Sequence, residues 1–509
     1  MHVLTAIKAL PVLAAAYVSA AASLPPIPAD LTTPVQQRIA IKGLNETKLT
    51  PLLHHEAISI GWNTYKQLEQ PCVKYGLSRD ALTLQSCSDQ STTYASSRTW
   101  SNVVVLGGLR PATTYYYQIV STNSTVEHFM SPRVPGDTTP FSMDVVIDLG
   151  VYGADGFTLK GDHAKRDDIP LIDPALNHTT IDRLARTVND YEFVIHPGDF
   201  AYADDWFLSP KNLLHGEAAF QAILEQFYAQ LAPIAARKPY MASPGNHEAA
   251  CEEIPFTAGL CPEGQKNFTD FMHRFSSTMP TAFASNSTNC TAASQAKKAQ
   301  ALANPPFWYS FDYGMAHVVM FNTETDFPDA PDQPGGSAHL DGGPFGANGQ
   351  QLAFLEADLA SVDRTVTPWV VVAGHRPWYT TGGGGCKPCQ AAFEPLFYKY
   401  GVDLGIFGHV HNSQRFQPAY NGKADAAGMS DPKAPMYIVA GGAGNIEGLS
   451  SVGSNVSFNA FAYAEDFSFA KITFTDRTHL QVDFIRSSTG DVLDTSVLYK
   501  SHADRFVRQ

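Results

Sequence analysis

The chain has 509 residues, 44% of them hydrophobic and 17% charged, which is enough apolar material for at least one large core and, by length, for roughly three domains. Its formal net charge of -14 and sequence pI near 5.6 exclude the basic footprint of a nucleic-acid partner. Beyond the first residues, no stretch approaches the ~20 uninterrupted apolar residues of a membrane helix, so no membrane partner is expected.

The opening MHVLTAIKALPVLAAAYVSAAASLPP carries one early Lys8, an apolar run and small residues around Ala20 to Ser23. That layout marks residues 1–22 as a secretory signal peptide and the protein as secreted and extracellular. Seven Asn-X-Ser/Thr sequons follow, at Asn45, Asn123, Asn177, Asn267, Asn286, Asn289 and Asn455, each expected to carry a glycan on a surface loop. The seven cysteines (Cys72, Cys87, Cys251, Cys261, Cys290, Cys386, Cys389) fit disulfides in an oxidising compartment, and their odd number leaves a thiol unpaired or intermolecular. Cys386-Lys-Pro-Cys389 has the spacing of a redox or zinc pair. With no second CxxC and a GGGG loop before it, it reads as a structural disulfide.

Residues 23–138 begin with a Pro-rich leader and continue as short β-type runs between turns, AISIGW, CVKYGL, SNVVVL and TTYYYQIV, the texture of a small β-sandwich. Within them GLRPATTYYYQI resembles the fibronectin type III pattern in which a Tyr follows a Leu-X-Pro turn. From about 139 to 430 the apolar runs MDVVI, EFVIH, KPYMAS, HVVMF, TPWVVVA and VDLGIF read as strands of buried sheets with helices outside. One helical face carries Phe220, Ile223, Leu224, Phe227 and Leu231, and another carries Leu352, Leu355, Leu359 and Val362; both stripes read as core. Residues 280–305 and 326–350, rich in Ser, Asn, Ala, Gly and Pro, are expected as extended loops. Residues 431–509 return to strand texture, with PMYIVAGGAGN, FAKITFT and LQVDFI, and are expected to complete a sheet of the same domain.

Five apolar runs share one habit: DVVIDLG, FVIHPGDFAY, YMASPGNHE, VVVAGHRPW and GIFGHVH all stop at a metal-capable side chain. In four of them the preceding residue is Gly (Gly198, Gly245, Gly374, Gly408), which permits a sharp turn and a close approach to the backbone. Ligands of α/β sheets bind outside the carboxyl ends of the strands, so Asp148, Asp199, Tyr202, Asn246, His375, His409 and His411 are expected to converge. Taken singly, each has an ordinary structural reading: a turn former at Asp148, helix caps at Asp199 and Asn246, a core aromatic at Tyr202, satisfied histidines in loops. Five such ends in order point to one site. Histidines and an Asn carbonyl suit a borderline divalent ion, whereas carboxylates and a phenolate suit a hard, highly charged one. A phenol with a reference pKa of about 10 ionises at acidic or neutral pH only beside a strong Lewis acid, which makes ferric iron the natural partner of Tyr202.

The blocks DLG, GDFAY, GNHE, VAGH and GHVH resemble the five metallophosphoesterase motifs of the purple acid phosphatases, over roughly residues 141–415. The N-terminal β module and YIVAGGAGN are similar to the larger, two-domain members of that family. The resemblance implies a fold of α+β and α/β type, an N-terminal sandwich followed by a domain with two central mixed β-sheets flanked by helices. It implies that Asp148, Tyr202 and His411 bind Fe(III), that Asn246, His375 and His409 bind a divalent Fe, Zn or Mn, and that Asp199 bridges the two. Three anionic ligands against such a pair leave roughly +2 for hydroxide and a phosphoryl oxygen, so metal-activated hydroxide is expected to attack a phosphate monoester in line. By the same resemblance His247 is the acid or hydrogen-bond donor at the phosphoryl group and Glu248 an orienting neighbour. Familiar plant and animal members carry further histidines after the VxxH block. Here HRPWYTTGGGGCKPCQ has none after His375; Arg376, Tyr379 and His196 are candidates to substitute, with an equal structural reading of Arg376 and Tyr379. The expected function is a secreted acid phosphatase acting on phosphate monoesters. A phytase, or a phosphodiesterase or nucleotide pyrophosphatase, on the same centre is the alternative, and a non-catalytic secreted glycoprotein is the alternative of another class.

Overall fold

In a computed structural model of the chain, residues 24, 26–43, 56–121, 124–151, 179–208, 212–213, 215–251, 261–280 and 290–502 are described. The signal segment 1–22 and the sequons at Asn45, Asn123, Asn177, Asn286 and Asn289 lie outside them. Among the described residues no helix is long and apolar enough to cross a membrane.

The N-terminal part is a sandwich of two four-stranded antiparallel sheets. One orders the strands Val35–Ile41, Glu56–Thr64, Trp100–Leu109 and Ser91–Thr92; the other orders Leu84–Cys87, Cys72–Gly76, Thr114–Ile119 and Glu127–Met130. Alternation explains why these runs fold as strands: Tyr115, Tyr117 and Ile119 are buried while Thr114, Tyr116 and Gln118 face outward. The leader is not all irregular, because Arg38 gives the strand Val35–Ile41 a fixed place against the rest of the molecule. Its guanidinium reaches Asn63 Oδ1 (2.9 Å), Ser101 Oγ (2.8 Å) and Arg274 O (3.0 Å). Arg98 on Glu225 (2.5 and 2.7 Å) and Tyr94 on Asp270 (2.9 Å) complete the docking of the sandwich.

Two mixed sheets form the larger part. A six-stranded sheet orders Tyr240–Ser243, Phe193–Pro197, Phe141–Val145, Ser468–Phe474, His479–Arg486 and Val492–Tyr499. A seven-stranded sheet orders Tyr309–Tyr313, Ala316–Met320, Trp369–Ala373, Leu404–Phe407, Met436–Ala440, Ser413–Phe416 and Asn459–Tyr463. The runs that are apolar on both faces are the parallel strands: they form one half of the six-stranded sheet, the other half being antiparallel, and the centre of the seven-stranded sheet, with antiparallel strands at its edges. The C-terminal strands serve both sheets rather than one, Met436–Ala440 in the larger and Ser468–Phe474 in the smaller. Helices cover the outside. In Gly216–Ala235 the expected stripe from Phe220 to Leu231 is buried, and in Gln350–Ser361 Leu355 and Leu359 are buried while Leu352 and Val362 are half-buried.

The expected loop at 280–305 is corrected: Cys290–Leu302 is a helix packed on Gln350–Ser361. Its buried face is Ala292, Ala296 and Ala299, at helical spacing but too small to give a strong apolar period. Among the described residues the disulfides are Cys72–Cys87, Cys251–Cys261 and Cys386–Cys389, and Cys290 is a free, exposed thiol.

Candidate metal centre

The strand Phe141–Val145 and its parallel neighbour Phe193–Pro197 stay laddered past their ends, with Leu149 N donating to Asp199 O (3.1 Å) and Gly150 N to Phe200 O (2.8 Å). That registers Asp148 against Asp199. Tyr202 follows on the same turn, and Asn246 follows the next strand, Tyr240–Ser243. From the seven-stranded sheet come His375, just beyond Trp369–Ala373, and His409 and His411, beyond Leu404–Phe407; Gly408 N donates to His375 O at 2.8 Å. All seven predicted ligands are brought together.

Backbone strain marks the same place. Asp148, Asp199, Tyr202 and His409 have positive φ (60°, 56°, 51° and 65°), a conformation costing about 1–3 kcal/mol each in a non-glycine residue. Other groups hold them there. Glu248 accepts from Asp199 N (2.9 Å), Phe200 N (2.8 Å) and Gly245 N (2.9 Å), and Asp148 Oδ2 accepts from His409 N (2.8 Å). Gly198 and Gly245 are required by proximity: a Cβ on Gly198 would lie 2.5 Å from His375 Nδ1, and one on Gly245 would collide with Asp199 Oδ1.

The donors form two groups that overlap at one carboxylate. Asp199, His375 and His409 present atoms within 4.8 Å of one another, and so do Asp148, Asp199 and His411. Asn246 Oδ1 lies 3.1 Å from His375 Nε2 and joins the first; the Tyr202 hydroxyl lies 2.8 Å from His411 Nε2, 3.1 Å from Asp148 Oδ1 and 3.3 Å from Asp199 Oδ2 and joins the second. This donor set, with Asp199 common to both groups, fits a pair of cations and is poor packing without them. Burial first, then the neighbouring Asp199, holds Asp148 well above the usual carboxylate range, and burial together with Asp148 and Asp199 pushes the Tyr202 phenol well up. Burial likewise keeps His409 and His411 neutral, the state in which imidazole is a ligand, and holds His411 at about 4. Burial opposes the charge on Asp199 too, but His375 and His247 outweigh it and keep it anionic.

His247 stands at the edge of this centre with its ring against Tyr202, centroids 4.0 Å apart. Its backbone N–H donates to Asp199 Oδ1 (3.0 Å) and its carbonyl accepts from Gln265 Nε2 (2.6 Å). Its Nδ1 meets both oxygens of Asp204, at 2.9 and 3.0 Å, which leaves Nε2 turned toward Glu447 Oε1 (3.8 Å) and Asp199 Oδ2 (3.9 Å). Asp204 and Glu447 were not singled out from the sequence. Asp204 lies five residues after Asp199 in GDFAYADDW and Glu447 in GGAGNIEG, but nothing in those strings pairs either with a histidine.

The three candidate substitutes for the missing histidines are all buried and engaged by other groups. Arg376 is held by Glu324 Oε2 (2.6 Å) and Asp332 Oδ1 (3.1 Å) and places Nη1 3.0 Å from His409 Nε2, behind the ligand. Tyr379 donates to Glu394 (2.5 Å), and His196 is buried beneath the site with Nδ1 on Tyr240 (2.7 Å).

Comparison with known proteins places matches along most of the chain. A purple acid phosphatase N-terminal domain matches residues 45–132, a calcineurin-like phosphoesterase 175–413, and an iron/zinc purple acid phosphatase-like protein C 434–495. Acid phosphatase A of Cryphonectria parasitica is 64% identical over 509 residues, covering 99% of both chains. An acid phosphatase of Aspergillus ficuum is 29% identical, over 82% of this chain and 78% of that one. A purple acid phosphatase from yellow lupin (Lupinus luteus) seeds superposes with a TM-score of 0.62 at 22% identity, covering 92% of this chain and 75% of that one, and so shares the fold.

Proposed function

The chain belongs to the purple acid phosphatases, and from that premise we propose that it is a secreted, glycosylated phosphomonoesterase whose dinuclear centre pairs Fe(III) with a divalent Fe, Zn or Mn. It is an acid phosphatase of the metallophosphoesterase fold, with a dinuclear metal centre. The observation that carries the finer reading is the single carboxylate, Asp199, common to two donor groups of different character. Asp148, Tyr202 and His411 form the harder group and would hold Fe(III); Asn246, His375 and His409 form the softer one and would hold the divalent ion. Burial and two carboxylates oppose ionisation of Tyr202, so only a strong Lewis acid at its oxygen makes it a phenolate.

Bound there, the two ions would supply Lewis acidity to acidify water and offset the charge of the phosphoryl group. The chain's own residues do the rest. His247 Nε2, turned toward Glu447 and Asp199 at the edge of the centre, would donate its proton to the leaving-group oxygen as the ester bond breaks. Asp204 fixes the ring through Nδ1 and favours the charged, proton-bearing imidazole. Glu248 holds the Gly198–Asp199 turn, so the Asp199 carboxylate, which would serve both metals, is positioned before substrate arrives. Secretion and glycosylation are supported by the leader and the sequons; of these, the Asn267 and Asn455 side chains are exposed.

Visible spectroscopy and metal analysis on one sample test the centre. The expected result is about two metals per chain and a broad Tyr-to-iron band that vanishes in Tyr202→Phe, with Asp199→Asn losing both metals and activity. Colourless protein carrying two zinc or manganese ions would remove the ferric role of Tyr202, and full activity in Asp199→Asn would remove the site. Matched mono- and diesters test the substrate class, a large diester preference contradicting it.

A further inference from the structure

One motif is left unused by the phosphatase chemistry: Cys386-Lys-Pro-Cys389, closed as a disulfide at the start of the helix Lys387–Lys399. Cys386 is the residue that caps this helix, its Sγ accepting from Cys389 N at 3.1 Å. A sulfur so placed is stabilised as a thiolate by the helix N-terminus. The two sulfurs are not equivalent. Cys386 keeps 8% of its surface exposed, whereas Cys389 has none and sits with Sγ 3.7 Å from the carbonyl oxygen of Thr323. That carbonyl can accept a hydrogen bond only from the thiol form, so an acceptor for the reduced state is already in place.

The surroundings connect the pair to the metal ligands from both sides. The hydroxyl oxygen of Thr323 accepts from the backbone N–H of His375 (3.1 Å) and of Arg376 (2.8 Å). Cys386 N donates to Pro377 O (2.7 Å), closing the loop that leaves His375. The middle of that loop lies over the other ligand turn, where a Cβ on Gly384 would be 3.0 Å from Val410, the residue between His409 and His411. Gly453 N on Thr381 (3.2 Å) and Ser450 N on His411 O (2.8 Å) continue the contact. The disulfide thus closes the far end of a loop that begins at one predicted ligand and rests on the segment bearing two more.

We propose that Cys386–Cys389 is a thiol–disulfide exchange site, opened by a dithiol reductant, whose state sets the fit of the 377–385 loop on the metal centre. A thiolate of the reductant attacks the less buried sulfur, Cys386 Sγ; the S–S bond breaks and its electron pair leaves on Cys389 Sγ, which takes a proton from water and donates it in a hydrogen bond to Thr323 O. The second sulfur of the reductant, as its thiolate, displaces Cys386 Sγ from the mixed disulfide as a thiolate, so two electrons and one proton enter the protein, the dithiol's other proton passes to solvent, and the reductant departs as its disulfide. The effect on turnover rests on the phosphatase reading; the opening of the pair does not.

The test treats the folded, metal-loaded protein with dithiothreitol, traps thiols with an alkylating agent, maps them by peptide mass spectrometry and follows activity in parallel. Cys386 and Cys389 are expected to appear together as new thiols, with Cys386 alkylated first. Activity should fall roughly tenfold, the lower end of what a displaced outer partner of a metal ligand costs, and return on reoxidation. A Cys386→Ser, Cys389→Ser protein should not respond to dithiothreitol. A pair that stays closed until guanidinium unfolds the chain overturns the exchange site. Opening without change in activity overturns the coupling, as does an equal loss in the double variant, which would locate the response at the metals or the other disulfides.

Discussion

Asp204→Asn isolates the proton-donating role assigned to His247, because it keeps the shape of the partner and removes its charge. Asp204 and His247 are almost fully buried, at 1% and 5% exposure, so solvent does little to screen the pair. Both carboxylate oxygens lie within 3.0 Å of Nδ1, and a hydrogen bond to a charged group contributes about 1.5–3 kcal/mol. If that contribution is present only while the imidazole is charged, its loss slows proton donation by roughly 10- to 150-fold at 1.36 kcal/mol per decade. The burden should fall where the leaving group needs the proton. With an alkyl phosphate, kcat should drop by that factor; with a nitrophenyl ester, whose oxygen leaves readily as an anion, it should change little. Metal content and the visible band should match the unaltered protein, since Asp204 is not among the predicted ligands. Steady-state kinetics on the two esters with metal analysis alongside decide it. Equal losses on both esters, or none on the alkyl ester, would refute the role of Asp204 as the positioning residue of a general acid.

Three further outcomes follow from buried charge. Burial pushes Glu56 and Asp144 up to about 8, and although burial disfavours the His317 cation, Asp358 and Asp312 on its two nitrogens hold its pKa at about 9. All three bind protons more tightly folded than unfolded, so their stabilisation is lost progressively, as pH rises from about 4 to about 8 for the two carboxyls and from about 6.5 to about 9 for His317; Tm should fall between pH 7 and 8, above the range in which the buried neutral histidines act in the opposite sense, and a flat or rising profile there would contradict this. Arg376→Ala strands Glu324 and Asp332, both fully buried, and should cost about 3–5 kcal/mol in denaturant unfolding, whereas a loss below 1 kcal/mol would mean the pair is compensated elsewhere. Glu248→Ala leaves three backbone N–H groups at the Gly198–Asp199 and Gly245 turns without their acceptor; Tm and bound metal should both fall, and a Tm drop with metal unchanged would confine Glu248 to stability.

The sequence by itself determined what is local. Apolar runs on both faces made parallel strands, a Gly before four of the five polar stops made the turn, and the seven donors at those stops announced a shared site because ligands gather at the carboxyl ends of parallel strands. Asp148, Asp199, Tyr202, Asn246, His375, His409 and His411 were legible for that reason, as was the stripe from Phe220 to Leu231. The helix Cys290–Leu302 was not, since three alanines bury too little area to register as a period. What only the tertiary structure decided are the partnerships between segments far apart in the chain: Glu248 beneath the Asp199 turn, Arg376 clamped by Glu324 and Asp332 behind His409, Asp204 on the far nitrogen of His247, and Cys389 on the carbonyl of Thr323. A carboxylate in sequence is an acid with many uses. Burial and the one group placed within 3 Å of it choose among them, and those depend on how two sheets meet rather than on any run of residues.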